Sequence, residues 1–212
     1  MRRLLPLALA TALAVAACGS AEPPRPPLFA RVVAVMPFET APSASKGEKR
    51  GEATGGDLVT AQVYRYLSDQ TTYLVVPDLT VVDTLATPEL RRAIGNRERA
   101  IALGKAVGAD GVLFGRVERY DNRVGTAYGA SEPASVAFKI GLLSPASGDV
   151  VWEGEFDETQ ESLSANFFDW WMFWDKGPRW LSASELSGLG VDRLLKECEQ
   201  QLTADRAEAA GE

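Results

Sequence analysis

The run Arg31-Val-Val-Ala-Val-Met-Pro-Phe38 is almost wholly apolar and largely β-branched, and Pro37 ends it. Side chains alternate between the faces of a strand, so a continuous apolar run describes a strand covered on both sides. Such a strand belongs in the middle of a sheet and calls for crossover helices. Residues 39–56, ETAPSASKGEKRGEATGG, are polar, lack periodicity and read as a mobile loop. Asp57 is then placed to cap a helix to about Asp69, because Val59, Val63, Tyr66 and Leu67 repeat at helical spacing. Tyr73 to Pro77 reads as a short strand, and Leu79 to Leu85 as one or two helical turns. Asn96 is placed to cap a helix over Arg97 to Val107, with Gly108 where a left-handed residue closes it. Asp110 to Val117 returns as a strand. The first half therefore reads β-α-β.

The second half changes period. Val136, Phe138, Ile140 and Leu142 alternate with Ser135, Ala137, Lys139 and Gly141, as in an antiparallel strand with one face wet. After the turn from Ser144 to Gly148, Val150, Trp152, Gly154 and Phe156 alternate with Val151, Glu153 and Glu155, which makes a hairpin. The last helix begins at Ser182 or Ser184 and runs to about Leu202. The expected fold is α/β: a mixed sheet with a βαβ first half and an antiparallel hairpin in the second half, helices mainly on one face.

Composition excludes several functions. The chain has 212 residues, no His and a net charge of −7. Without imidazole there is no Ser-His or Cys-His dyad and no His metal ligand. The negative charge repels polyphosphate, so nucleic acid is not an expected partner. No catalytic residue, metal site or cofactor is assigned.

The N-terminus reads as an address. Arg2 and Arg3 precede an uncharged apolar run from Leu4 to Ala17, shorter than the ~20 residues that span a membrane. Val15-Ala16-Ala17-Cys18 resembles the bacterial lipobox, which implies acylation of Cys18 and cleavage before it. Gly19 rather than Asp follows, which by resemblance to a Gram-negative sorting rule implies outer-membrane anchoring on the periplasmic face. Ala21 to Pro27, A-E-P-P-R-P-P, favours extended polyproline conformation and reads as a short tether. With Cys18 modified, Cys198 has no partner for a disulfide. It lies in line with Val191, Leu194, Leu195 and Leu202, as a small buried hydrophobe does. The organisation is a signal peptide (1–17), a lipidated Cys and tether (18–30), an α/β domain (31–157), an aromatic-rich segment with the C-terminal helix (158–202) and a disordered tail (203–212).

The buried strand ending V-M-P-F, the V-V-P strand, the stretch Leu103 to Val117 (L-G-K-A-V-G-A-D-G-V-L-F-G-R-V) and the close Gly148-Asp-Val-Val-Trp152 carry a family resemblance. They are similar to the periplasmic lipoprotein superfamily that includes CsgG, the N-terminal domain of TolB, LpoB and PelC. The resemblance covers roughly residues 31–157, and its motifs are structural. It implies an accessory envelope role exercised through protein contacts, and because some members assemble into rings it leaves a homo-oligomer open. The long amphipathic insertion from which CsgG builds a barrel has no counterpart here, so a pore is not expected.

Residues 167–180, FFDWWMFWDKGPRW, hold four of the 5 Trp. Each ring offers about 150–250 Å² of surface, so Phe167, Phe168, Trp170, Trp171, Phe173, Trp174 and Trp180 need a cover. Either they fold under their loop and pack onto the sheet or the last helix as a satellite core, or they dock a partner, a second copy or the lipid headgroups. Asp169, Asp175 and Lys176 interrupt the run and suit an amphipathic interface. The acidic residues Asp157, Glu158 and Glu161 read as a solvated face. Gly104 and Gly108 sit within and after a helix and make no phosphate loop. Lys46, Lys49 and Arg50 are a small basic patch in the polar loop. The leading expectation is a non-enzymatic, membrane-anchored scaffold or accessory subunit of an envelope assembly, secretion or cell-wall machine, working with an envelope protein partner. The alternative is a peptidoglycan- or polysaccharide-binding protein, or an envelope hydrolase, that uses Asp157, Glu158 or Glu161 beside the tryptophans.

Overall fold

The computed structural model describes residues 31–44, 51–93, 95–160 and 179–211. The elements are β1 (Val32–Val35), β2 (Glu39–Thr40), a 3₁₀ turn (Pro42–Ala44), α1 (Gly55–Gln70), β3 (Leu74–Val75), α2 (Asp78–Leu85), α3 (Pro88–Arg91) and α4 (Asn96–Val107). There follow β4 (Gly111–Asp121), β5 (Val124–Thr126), β6 (Gly129–Glu132), β7 (Ser135–Leu143), β8 (Val150–Thr159) and α5 (Ala183–Gly211). The sheet order is β3-β1-β4-β7-β8, with β2 also on β4. β1 is parallel to β3 and β4, whereas β7 and β8 are antiparallel additions. The mixed sheet and its hairpin agree with the sequence reading.

The helices do not lie mainly on one face. Val33 and Val35 join α1 and α5 in one core, with Val59, Val63, Leu186, Leu194 and the hairpin residues Phe138, Ile140, Trp152 and Phe156. Ala34 and Met36 point the other way and join Val81, Leu90, Ala100 and Leu103 of α2, α3 and α4. A strand apolar on both sides has to bury both sets of side chains, so β1 itself demands the second helical layer. That layer covers only the parallel half of the sheet. Beyond it the second face carries Arg116, Lys139, Glu153, Glu155 and Asp157, all exposed. Even so, the wet face expected of β7 is only partly wet: Lys139 is exposed, but Ala137 and Gly141 are buried, Gly141 beneath the Phe114 ring.

Helix starts differ from the sequence reading by local chemistry. Thr54, not Asp57, is the N-cap of α1. The Asp57 N–H donates to Thr54 Oγ1 (3.2 Å) and the Thr54 N–H donates to Asp57 Oδ2 (2.9 Å), a reciprocal box that makes Asp57 its third helical residue. Gly95, not Asn96, precedes the first turn of α4. Gly108 closes that helix at φ 66°, as expected. Gly104 is present for close packing: a Cβ there would lie 2.2 Å from Pro145 Cγ. For α5 the choice falls on Ser182, whose Oγ accepts the Glu185 N–H (3.2 Å) while Glu185 accepts the Ser182 N–H (2.9 Å). This helix continues to Gly211, past Leu202 and through the stretch read as a disordered tail. Within the polar loop, β2 and the 3₁₀ turn are ordered against β4. Lys46, Lys49 and Arg50 lie outside the described residues.

Candidate functional site

The strand directions give the domain two poles. The chain enters the sheet at Arg31, where the Arg31 and Val32 N–H groups both donate to Asp110 Oδ2 at 2.9 Å. This bond holds the start of β1 beside the start of β4. Because β8 runs antiparallel to β7, which is itself antiparallel to β4, β8 ends at the opposite pole, beside the end of β4. At ~3.3 Å per residue, the length of β4 separates the poles by roughly 35 Å.

At the far pole Gln160 is buried, 4% exposed, and holds two strands of chain together. Its Nε2 donates to the Arg179 carbonyl (3.0 Å), its Oε1 accepts the Leu181 N–H (2.6 Å), and its own N–H donates to the Ala134 carbonyl (3.0 Å). Residues 161–178 therefore depart and return at one point. The Trp180 N–H donates to the Ala127 carbonyl (2.7 Å), which fastens the returning chain to the β5–β6 hairpin. Gln160→Ala is expected to lower stability by about 1–3 kcal/mol, because it strands a buried N–H and a carbonyl without partners. A urea melt measures this, and an unchanged midpoint would mean that the bracket is dispensable.

Beside the bracket, Arg179 forks onto the Glu185 carboxylate, which also accepts Ser182 Oγ (3.1 Å). Burial pushes the Glu185 carboxyl up, but hydrogen bonds from Ser182 and Arg179 together outweigh it and hold the group down at about 2. Asn122 Oδ1 accepts the Ala183 N–H (3.1 Å), so the turn after β4 also supports the start of α5. The hairpin above this frame exposes Tyr128 (88%) and Val124 (52%). Sequence reading missed β5 and β6, which are short and lack the alternation that burial on one face imposes.

Of the aromatic residues singled out in the sequence, Trp180 is described and half-buried. Phe167, Phe168, Trp170, Trp171, Phe173 and Trp174 lie outside the described residues, as do Cys18 and Glu161. Asp157 and Glu158 are neighbours on a strand and so occupy opposite faces. Asp157 pairs with Arg119, and Glu158 lies 3.7 Å from Arg193 of α5. They do not form a carboxylate pair. Cys198 is buried, and its thiol is pushed up to about 12 by burial and by the charge of Glu199, which suits packing rather than reactivity.

The open half of the sheet's second face holds a polar basin of about 550 Å³, lined by Arg116, Glu118, Arg119, Asp121 and Asp157 with Ala41 and Ala137 at its floor. A β-bulge between Val117 and Arg119 adds Glu118 to this face. The bulge breaks the alternation of R-V-E-R-Y-D, and the crowding of charge there is the only trace it leaves in the sequence. The lining carries no hydroxyl, thiol or amine nucleophile. No group of three or more His, Cys, Asp or Glu among the described residues could hold a metal ion, and no described helix is long and apolar enough to cross a membrane.

No protein-family model matches the chain, and no curated protein sequence matches it. Solved structures do resemble it, at low identity. The LpoB C-terminal domain from Salmonella enterica is 17% identical, with 61% of this chain and 83% of that one covered, at a TM-score of 0.42. The lipoprotein GNA1162 from Neisseria meningitidis is 21% identical over 67% of this chain and 89% of that one, at a TM-score of 0.42. The PelC dodecamer from Paraburkholderia phytofirmans is 15% identical over 80% of this chain and 89% of its own, at a TM-score of 0.48. The likeness to CsgG and to the N-terminal domain of TolB rests on the sequence motifs alone.

Proposed function

We propose that this protein is an outer-membrane-anchored periplasmic lipoprotein that acts as a non-enzymatic scaffold or accessory subunit of an envelope machine. Cys18 is the lipidated residue, and the pole farthest from Arg31 is the contact surface. The observation that carries this reading is the opposition of the two poles. Chain entry is pinned at Asp110, whereas the aromatic-rich segment departs and returns at Gln160 beside the exposed Tyr128. A tether at one pole favours presenting the other to a partner protein or a second copy over laying it among headgroups beside the anchor. Asp157 and Glu158 face opposite sides of β8 and do not pair with each other, which weakens the hydrolase reading at those two residues.

The test is recovery of partners from intact cells by crosslinking. Replacing Trp170, Trp171 and Trp174 together by Ser is expected to abolish recovery and to leave the circular dichroism melt nearly unchanged. A collapsed melt would show instead that these rings are core.

A further inference from the structure

At the far pole one carboxylate serves two guanidinium groups. Glu185 takes the Arg179 fork, and its Oε2 also accepts the Ser182 N–H and Oγ. Arg123 stands beside this filled carboxylate, its Nη1 3.9 Å from Glu185 Oε2, which is too long for a hydrogen bond. The Arg123 Nε and Nη1 are buried and have no acceptor among the described residues. Two positive charges thus face one negative charge, and Arg123 keeps donors that nothing completes.

The backbone that carries Arg123 is fixed. Asn122 Oδ1 accepts both the Arg123 N–H (3.0 Å) and the Ala183 N–H (3.1 Å), which ties this turn to the start of α5. The Arg123 side chain is 21% exposed, so part of it is reachable from solvent. Val124 follows it, and the exposed Tyr128 belongs to the same hairpin. Arginine, tyrosine and tryptophan carry most of the binding energy in protein contacts. Trp180 completes that set here, its N–H bound to the Ala127 carbonyl.

Charge selects the occupant. The chain as a whole carries −7, so an acidic surface is repelled by most of it and is drawn where guanidinium groups outnumber carboxylates. A carboxylate arriving at Arg123 gains charge-assisted hydrogen bonds without displacing one already made. We propose that Arg123 receives a carboxylate from an acidic segment of a partner protein, with Tyr128 and Trp180 flanking the contact. This rests on the reading of the far pole as the contact surface and adds the chemistry of what binds there.

Capped hexaglutamate is the probe, added to the full chain at neutral pH and followed by nuclear magnetic resonance at the Arg123 Nε–H and the Tyr128 N–H. Both signals are expected to shift saturably, and hexalysine is expected to leave them in place. Read at Tyr128, Arg123→Gln should raise the apparent Kd at least tenfold. Arg91→Gln, on the exposed side of α3, should change it less than twofold. The absence of a saturable shift in the unsubstituted chain overturns the proposal, whether or not any variant folds. So does an equal weakening in Arg91→Gln, which would mean a general charge effect. Binding that emerges only after Asp169 and Asp175 are replaced by Asn overturns it too, because the chain's own carboxylates would then hold Arg123. An Arg123 signal that moves on dilution of the protein does the same, since a second copy would then fill the site. Partner recovery by crosslinking separates this assignment from the reading beneath it. Recovery that falls with the tryptophan replacements but not with Arg123→Gln refutes the carboxylate contact and leaves the contact pole standing.

Discussion

Phe138→Ala is expected to lower the unfolding free energy by about 3–5 kcal/mol, the usual range for emptying a buried aromatic site. Phe138 is 1% exposed and meets Phe156 with ring centroids 5.3 Å apart. It sits where β4, β7 and β8 adjoin, paired with Val117 on one side and Phe156 on the other. Neighbouring strands cannot move in to fill the hole, because their backbones are fixed by the ladder. A domain of this size should lose roughly 10–15 °C of melting temperature. Thermal denaturation of the purified variant measures it. A shift of only a few degrees would show that α5 relaxes into the space, and would make the α5 contact softer than its burial implies.

Cys18→Ala is expected to have the largest effect on location. Labelled palmitate should no longer enter the protein, and the protein should vanish from the outer-membrane fraction of a density gradient. The physical reason is additive burial: each acyl CH₂ placed in the bilayer contributes about 0.8 kcal/mol, so the two or three chains of a bacterial lipoprotein hold it where one chain holds only marginally. Unchanged fractionation without the label would remove the lipid from the proposal and leave the domain bound by other contacts.

The parts of the fold legible in the sequence are those where burial imposes a period. Val32 to Val35 announced a central strand, and the alternation through Phe138 and Phe156 announced the hairpin. Gly108 announced a helix end because a left-handed residue is needed there. The second helical layer was implied by the same run that gave β1, yet the weakly amphipathic α4 and the short α2 and α3 hid it. The bulge at Glu118 was hidden because an inserted residue shifts the period instead of ending it. At the candidate contact pole, composition marked the aromatic run, but the bracket that roots it could not be read. A lone glutamine after a strand has no periodic signature, and its three hydrogen bonds join residues far apart in the chain.

The Gln160 bracket has a consequence for how such a chain can diversify. When both ends of an excursion meet at one braced point, its length hardly matters to the body beneath, since doubling a flexible loop costs only about 0.6 kcal/mol in closure entropy. Because Gln160 holds the end of β8 to Arg179 and Leu181, the sheet, the capping serine and the final helix keep their frame whatever the number of residues inserted between those two points.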